Sequence, residues 1–183
     1  MTGAWRTRVA DGGDGGDGAD RAAVWALYEA ALRGHIEAIW GWEASWQQAD
    51  FARAFARAAT LMIERDGVVC GYCQLDLQAP TVYLRMLVLA PEARSQGIGA
   101  ALLRAILQRT RAAGRSLRLR VFKVNQAAQR FYAREGWLAE SSDDVAVYLR
   151  PPGEETTGVA AVDLVAGDFV MCCENHDGRR RHA

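Results

Sequence analysis

Arg94-Ser95-Gln96-Gly97-Ile98-Gly99-Ala100 is the stretch on which the reading of this chain turns. The apolar run Leu84-Arg85-Met86-Leu87-Val88-Leu89 precedes it, and Leu102-Leu103-Arg104-Ala105-Ile106-Leu107 follows with helical spacing. A strand, an arginine, two glycines and a helix, in that order, build an anion site. The start of a helix leaves backbone N–H groups unpaired and carries partial positive charge. Glycine lets a phosphate approach those groups without meeting a Cβ, and Arg94 adds a fixed cation. The dinucleotide fingerprint would need a third glycine, where the chain has Leu102. The triphosphatase loop would need Gly-Lys-Ser or Gly-Lys-Thr, which the sequence lacks. A strand-to-helix turn whose glycines serve packing alone is the plain alternative.

A second segment lies one helix and one strand further on. Leu117-Arg118-Leu119-Arg120-Val121-Phe122 alternates as a strand does, and Asn125, Ala128, Phe131-Tyr132 and Gly136-Trp137 follow it. Together, Arg94-x-x-Gly97-x-Gly99 after Pro91-Glu92 and this second segment resemble the GNAT superfamily of acyl-CoA-dependent N-acyltransferases. The resemblance covers residues 4 to 150.

Length and composition agree with one folded domain. The chain has 183 residues, half of them hydrophobic, enough to bury a sizeable core. Its 22 basic and 22 acidic residues balance to zero formal charge, which argues against broad binding to nucleic acid or an anionic membrane. No apolar run is long enough to span a bilayer, and the first residues lack the pattern of a signal peptide, so a cytoplasmic location is expected. Cys70 and Cys73 have C-x-x-C spacing, and Cys172-Cys173 stand near His176. On a strand, side chains three apart point to opposite faces, so the first pair reads as core residues and no metal is expected.

Along the chain, Trp5–Val9 reads as a strand and 11–20, rich in Gly and Asp, as a flexible loop. A single Gly-Asp fragment without apolar positions does not make a calcium-binding nonapeptide array. Helices are expected at Arg21–Arg33 and about Ser45–Ala58, with 34–43 between them. A hairpin is expected from Thr60–Glu64 and Val68–Leu77 around Asp66-Gly67. Then come a strand Thr81–Leu89, a helix Gly99–Ala112, a strand Ser116–Phe122, a helix Asn125–Glu135, and strands Gly136–Ser141 and Val145–Arg150. The order β-α-α-β-β-β-α-β-α-β-β matches the GNAT order. The fold class expected is therefore α/β (α+β), a mixed and mostly antiparallel sheet flanked by helices. The resemblance implies a splay between the strands that end at Leu89 and Phe122. Residues 1–150 form the expected domain. Residues 151–183 are expected to be a peripheral or disordered extension, with a strand or two within 159–173.

The resemblance implies acetyl-CoA as donor, with no metal. Its diphosphate would lie on the N–H groups of Gln96, Gly97, Ile98, Gly99 and Ala100, with Arg94 and Ser95 beside it. Its pantetheine arm would pair with the strand edge at Leu87, Val88 and Leu89, and the Leu89 N–H would face the thioester carbonyl. Tyr132 matches the family tyrosine placed beside the sulfur, where a phenol can donate to the departing thiolate. Asn125 would bond the pantetheine or diphosphate arm or cap its helix. Ala128 would face the core or the apolar part of the ligand.

The acceptor side is less determined by the residues. Tyr83 and Arg85 stand where a family member could carry a glutamate, so no base is assigned. His35, Glu37 and Glu43 lie in the segment that borders the acceptor site in family members. Trp40, Trp42 and Trp46 in and near it are core residues or walls of an apolar or cationic pocket. The expected activity is transfer of acetyl to a primary amine of a small molecule. A protein or peptide acceptor, or a CoA-binding regulatory module without turnover, are the alternatives. A monomer or a homodimer fits equally.

Overall fold

The computed structural model describes residues 4–11, 18–78 and 80–154. The expected strands within 159–173, the tail, the loop 12–17 and Cys172, Cys173 and His176 lie outside these residues.

Seven strands form one sheet in the order β1-β2-β3-β4-β5-β7-β6. They are β1 (Trp5–Val9), β2 (Ala59–Arg65), β3 (Val68–Asp76), β4 (Thr81–Leu89), β5 (Ser116–Phe122), β6 (Leu138–Ser142) and β7 (Ala146–Arg150). Every neighbouring pair is antiparallel except β4 and β5, which run parallel. Parallel neighbours need a crossover, and the helix α3 (Ile98–Ala112) supplies it. The hairpin β2–β3 turns at Asp66 (φ 51°) and Gly67 (φ 81°). Two consecutive positive φ values give the turn whose twist matches the strands, as Asp-Gly leads one to expect.

Helices cover both faces. On one, Val24, Tyr28, Leu32 and Ile36 of α1 (Ala19–Trp40) and Phe51 of α2 (Ala44–Arg57) pack on Met62, Tyr72, Val88 and Phe122. On the other, Leu102, Leu103 and Ile106 of α3 and Tyr132 of α4 (Gln126–Arg134) pack on Leu84, Leu117, Leu119 and Val121. Leu103, Leu117 and Leu119 are at most 1% exposed, and burying each such side chain is worth about 2 kcal/mol. Arg8 anchors the start of α1. It donates two bonds to Asp20, at 2.5 and 2.6 Å, and a third to Glu64 at 2.6 Å.

Two expectations are corrected. The first helix does not end at Arg33. It runs through Gly34 to Trp40, leaving 41–43 as the link to α2. The buried series Val24, Tyr28, Leu32, Ile36 repeats every fourth residue across Gly34, and that packing outweighs the ~1 kcal/mol helix cost of one glycine. Cys70 and Cys73 do not face opposite ways. A bulge between Ile63/Glu64 and their partners makes Cys70 the extra residue, and both cysteines enter the same core layer. Burial raises the Cys70 thiol pKa and pushes that of Cys73 up to about 12, which keeps them protonated and inert.

Candidate active site

β4 and β5 are paired over Thr81–Leu84 and Ser116–Leu119 and not beyond. From Arg85 and Arg120 onward the sheet is open, while β5 keeps its partner β7 on its other edge over Leu119–Phe122. A bulge drives the parting. Gln74 faces Met86 and Leu75 faces Leu84, so Arg85 is the extra residue of β4, and an extra residue bends its strand. The splay expected between these two strands is thus present, and it begins where the polar residues begin.

The opening holds a cavity of about 100 Å³. Leu87 and Val88 of β4 line it, as do Asn125, Ala128 and Tyr132 from the segment after β5. These are five of the residues singled out from the sequence. The alternation of the ladder orients the strand edge. Ala90 N–H bonds Cys70 O at 2.9 Å, which makes Cys70–Ala90 a hydrogen-bonded pair. Gly71–Leu89 and Cys73–Leu87 are then the intervening pairs, so the N–H groups of Leu89 and Leu87 point toward the side β5 has left.

At the end of β4 the chain makes a 3₁₀ turn at Pro91–Ala93 and enters α3 through two left-handed residues, Ser95 (φ 59°) and Gly97 (φ 81°). The first intrahelical bond runs from Ala101 N–H to Gly97 O, so the N–H groups of Ile98, Gly99 and Ala100 precede the ladder. Arg94 Nε donates to Leu89 O at 2.9 Å, which ties the loop to the strand end. Gln96 donates to Glu92 O at 2.5 Å and accepts from Arg65.

The two glycines have different reasons. A Cβ on Gly97 would meet nothing within 4 Å, and its need is the positive φ. A Cβ on Gly99 would sit 3.5 Å from Phe131 and 3.6 Å from Leu89, an ordinary contact inside a helix. Gly97→Ala is therefore expected to cost about 1 kcal/mol of stability, and Gly99→Ala to be neutral or stabilising by up to about 1 kcal/mol. Urea melts of the two variants check this, and the opposite ranking would refute it.

Tyr132 is 8% exposed and packs edge-on against Phe131 and Trp137, with ring centroids 5.0 and 5.9 Å away. Burial raises its phenol above the ordinary range, so it keeps its proton. Asn125 Oδ1 accepts from Ala128 N–H at 3.0 Å and caps α4 while also lining the cavity. Both readings of that asparagine coexist.

The acceptor candidates fare differently. His35, Glu37, Trp40 and Trp42 do not line the cavity, because α1 continues where a loop was expected and carries the first three along its last turns. Trp40 backs the cavity wall through Phe122, centroid to centroid 5.7 Å. Trp42 packs on Trp25 and Tyr28, and the guanidinium of Arg33 lies 5.5 Å from its ring centre. The cation on that ring comes from the chain itself.

Sequence reading did not identify Arg120 as a site residue, and met Tyr83 and Arg85 only as substitutes for a glutamate. All three line the cavity. The signal was the polar phase of an alternating strand. Leu119 and Val121 face α3, so Arg120 faces the other way. Arg85 bonds Asp76 at 3.1 Å. Burial raises the Tyr83 phenol, and Arg120 and Arg85 partly oppose it. Among the described residues, the lining contains no carboxylate and no histidine. Among the described residues no cluster of three His, Cys, Asp or Glu could hold a metal, and no helix is long and apolar enough to cross a membrane.

Residues 22–137 match the sequence profile of the acetyltransferase (GNAT) family. Solved structures share the architecture, among them the following. The PaiA N-acetyltransferase from Thermoplasma acidophilum in complex with coenzyme A superposes with a TM-score of 0.66 at 18% identity, over 81% of this chain and 98% of that one. The ribosomal-protein-alanine N-acetyltransferase from Escherichia coli gives 0.58 at 16% identity, over 85% and 98%. A GNAT family acetyltransferase from Elizabethkingia anophelis with acetyl-CoA bound gives 0.57 at 10% identity, over 80% and 97%.

Proposed function

Since this chain belongs to the acetyltransferase (GNAT) family, we propose that it transfers acetyl from acetyl-CoA to the primary amine of a small molecule by direct attack within the gap between β4 and β5. One observation carries the reading. A strand edge with N–H groups facing the gap and a buried phenol border one opening, and the strand runs on from it through Leu89 toward the glycine-entered start of α3. Coenzyme A and acetyl-CoA in the two superposed structures that hold them support the choice of donor.

Each part has a task. The N–H groups from Gln96 to Ala100 and the guanidinium of Arg94 hold the diphosphate at the positive end of α3. The strand edge at Leu87 and Leu89 aligns the pantetheine arm as an added strand would lie. As the amine attacks, the carbonyl oxygen gains negative charge, and a fixed N–H at Leu89 stabilises that charge more than it stabilises the ground state. Tyr132 donates to the sulfur as the C–S bond breaks. The cavity, about 100 Å³ and partly open, gives room for a thioester end and a small amine.

With no carboxylate or histidine among the described lining residues, the amine gives its proton to water or arrives as the free base. For an amine whose own pKa is well above neutral, kcat/KM is expected to rise steadily with pH, without a plateau set by a group near 6.5. The buried phenol keeps its proton throughout, since its pKa is shifted upward from about 10. Thiol release from acetyl-CoA, followed over a panel of amines and from pH 6 to 10, tests both statements. No release with any amine would end the acetyl-transfer reading. A plateau near neutral pH would reveal a side-chain base.

A further inference from the structure

We propose that the amine acceptor carries a carboxylate and that Arg120 receives it, an inference that rests on the acetyl-transfer reading of the gap. Among the described residues, two guanidinium groups line the cavity and no acid does. Arg85 is matched by the buried carboxylate of Asp76, their side chains being 11% and 8% exposed. Arg120 has a weaker match. Its guanidinium approaches the Tyr148 hydroxyl, and beyond that hydroxyl stands Asp143. The Asp143 carboxylate is already engaged. It accepts from Val145 N–H at 2.9 Å, Ala146 N–H at 2.7 Å and the Tyr148 hydroxyl at 2.8 Å. Those donors are neutral, so Asp143 keeps its charge and acts on Arg120 from beyond the lining; at the cavity wall itself the described residues leave positive charge in excess next to the place of attack.

That excess selects among amines. A simple alkylammonium brings a cation to a cationic wall, whereas an amino acid brings a carboxylate that a guanidinium fork binds in two parallel bonds. The two faces of the sheet also divide the work. Arg120 and Phe122 lie on the α1 side, and Tyr132 and Ala128 approach from the α3–α4 side. Acceptor and departing sulfur meet across the gap. Tyr148 is a positioning residue that holds Arg120 against the wall.

The test compares L-amino acids with their carboxamides, pair by pair, as acceptors for the full chain. Wild type is expected to favour the acid over the carboxamide by about tenfold or more in kcat/KM, the size of one charged hydrogen-bond pair. In Arg120→Gln that ratio is expected to fall toward one, through KM for the acid. Arg120→Lys should restore part of it, and the exposed Arg109→Gln should leave it as in wild type. CoA titration by calorimetry checks that each variant keeps its donor site. Equal or better use of carboxamides by wild type would overturn the proposal and leave acetyl transfer standing. So would an Arg120→Gln variant that weakens both acceptor classes and CoA alike. Absence of thiol release with every amine would strike the acetyl-transfer reading itself, and this inference with it.

Discussion

Tyr132→Phe is expected to lower kcat by about 100-fold while leaving CoA affinity within about twofold. The magnitude follows from what the phenol can do. Its pKa lies above the usual range because the ring is buried among Phe131 and Trp137. A thiol ionises near 8.5, so complete proton transfer from this phenol to a free thiolate runs uphill. What remains is a hydrogen bond to sulfur that strengthens as charge gathers there. Removing one donor aimed at developing charge costs about 3 kcal/mol, or a hundredfold in rate. Phenylalanine keeps the ring and both edge-on contacts, so the fold and the CoA site are retained. Stopped-time thiol assays and calorimetric CoA titration give the two numbers. A variant with wild-type kcat would remove Tyr132 from the chemistry, and one that lost CoA affinity in proportion would make it a packing residue.

Gly71→Ala is expected to cost about 3 kcal/mol of stability, at the upper end of overpacking effects, and to weaken CoA binding by about tenfold or more. Gly71 of β3 stands opposite Leu89 of β4. A Cβ there would lie 2.4 Å from the Val88 carbonyl oxygen and 2.8 Å from a Leu89 methyl. The nearest obstacle is backbone, which cannot swing aside, so the end of β4 has to move. That end carries the inward-facing N–H of Leu89 and holds Arg94 through its carbonyl. Displacing it disturbs the strand edge and the anion loop together. Gly34→Ala is the control. It lies within α1 with nothing within 4 Å of the added carbon, and it is expected to stabilise by up to about 1 kcal/mol. Denaturant melts and CoA titration separate the two. Wild-type stability and affinity in Gly71→Ala would show that β4 has slack at this point.

Much of the site could be read before the fold was known because its chemistry is local. The turn after β4 needs residues at positive φ within four positions, and Ser95 and Gly97 occupy them. Asn125 caps the helix that follows β5, and Tyr132 lies seven residues on, at the end of a helix whose spacing sequence shows. The acceptor wall was not legible in the same way. Arg85 and Arg120 are 35 positions apart in the chain, and each looks like the solvated phase of a strand. Only the bulge at Arg85 and the parting of β4 from β5 bring them to one cavity.

The periods of hydrophobic residues, the Asp66-Gly67 hairpin and the helix start at Gly97 were set by neighbours within a few positions, where backbone sterics and short-range burial act. Sequence alone therefore determined most of the elements, their order and the residues proposed for the donor half of the site. Tertiary packing decided the rest. It carried α1 through Gly34, turned Cys70 and Cys73 into one core layer, placed Trp42 in an aromatic cluster with Trp25 and Tyr28 and opened the sheet beside two arginines. The cysteine layer and the open sheet depend on register and bulges between strands distant in the chain, where a one-residue change of register moves a side chain to the opposite face; the other two depend on helix packing.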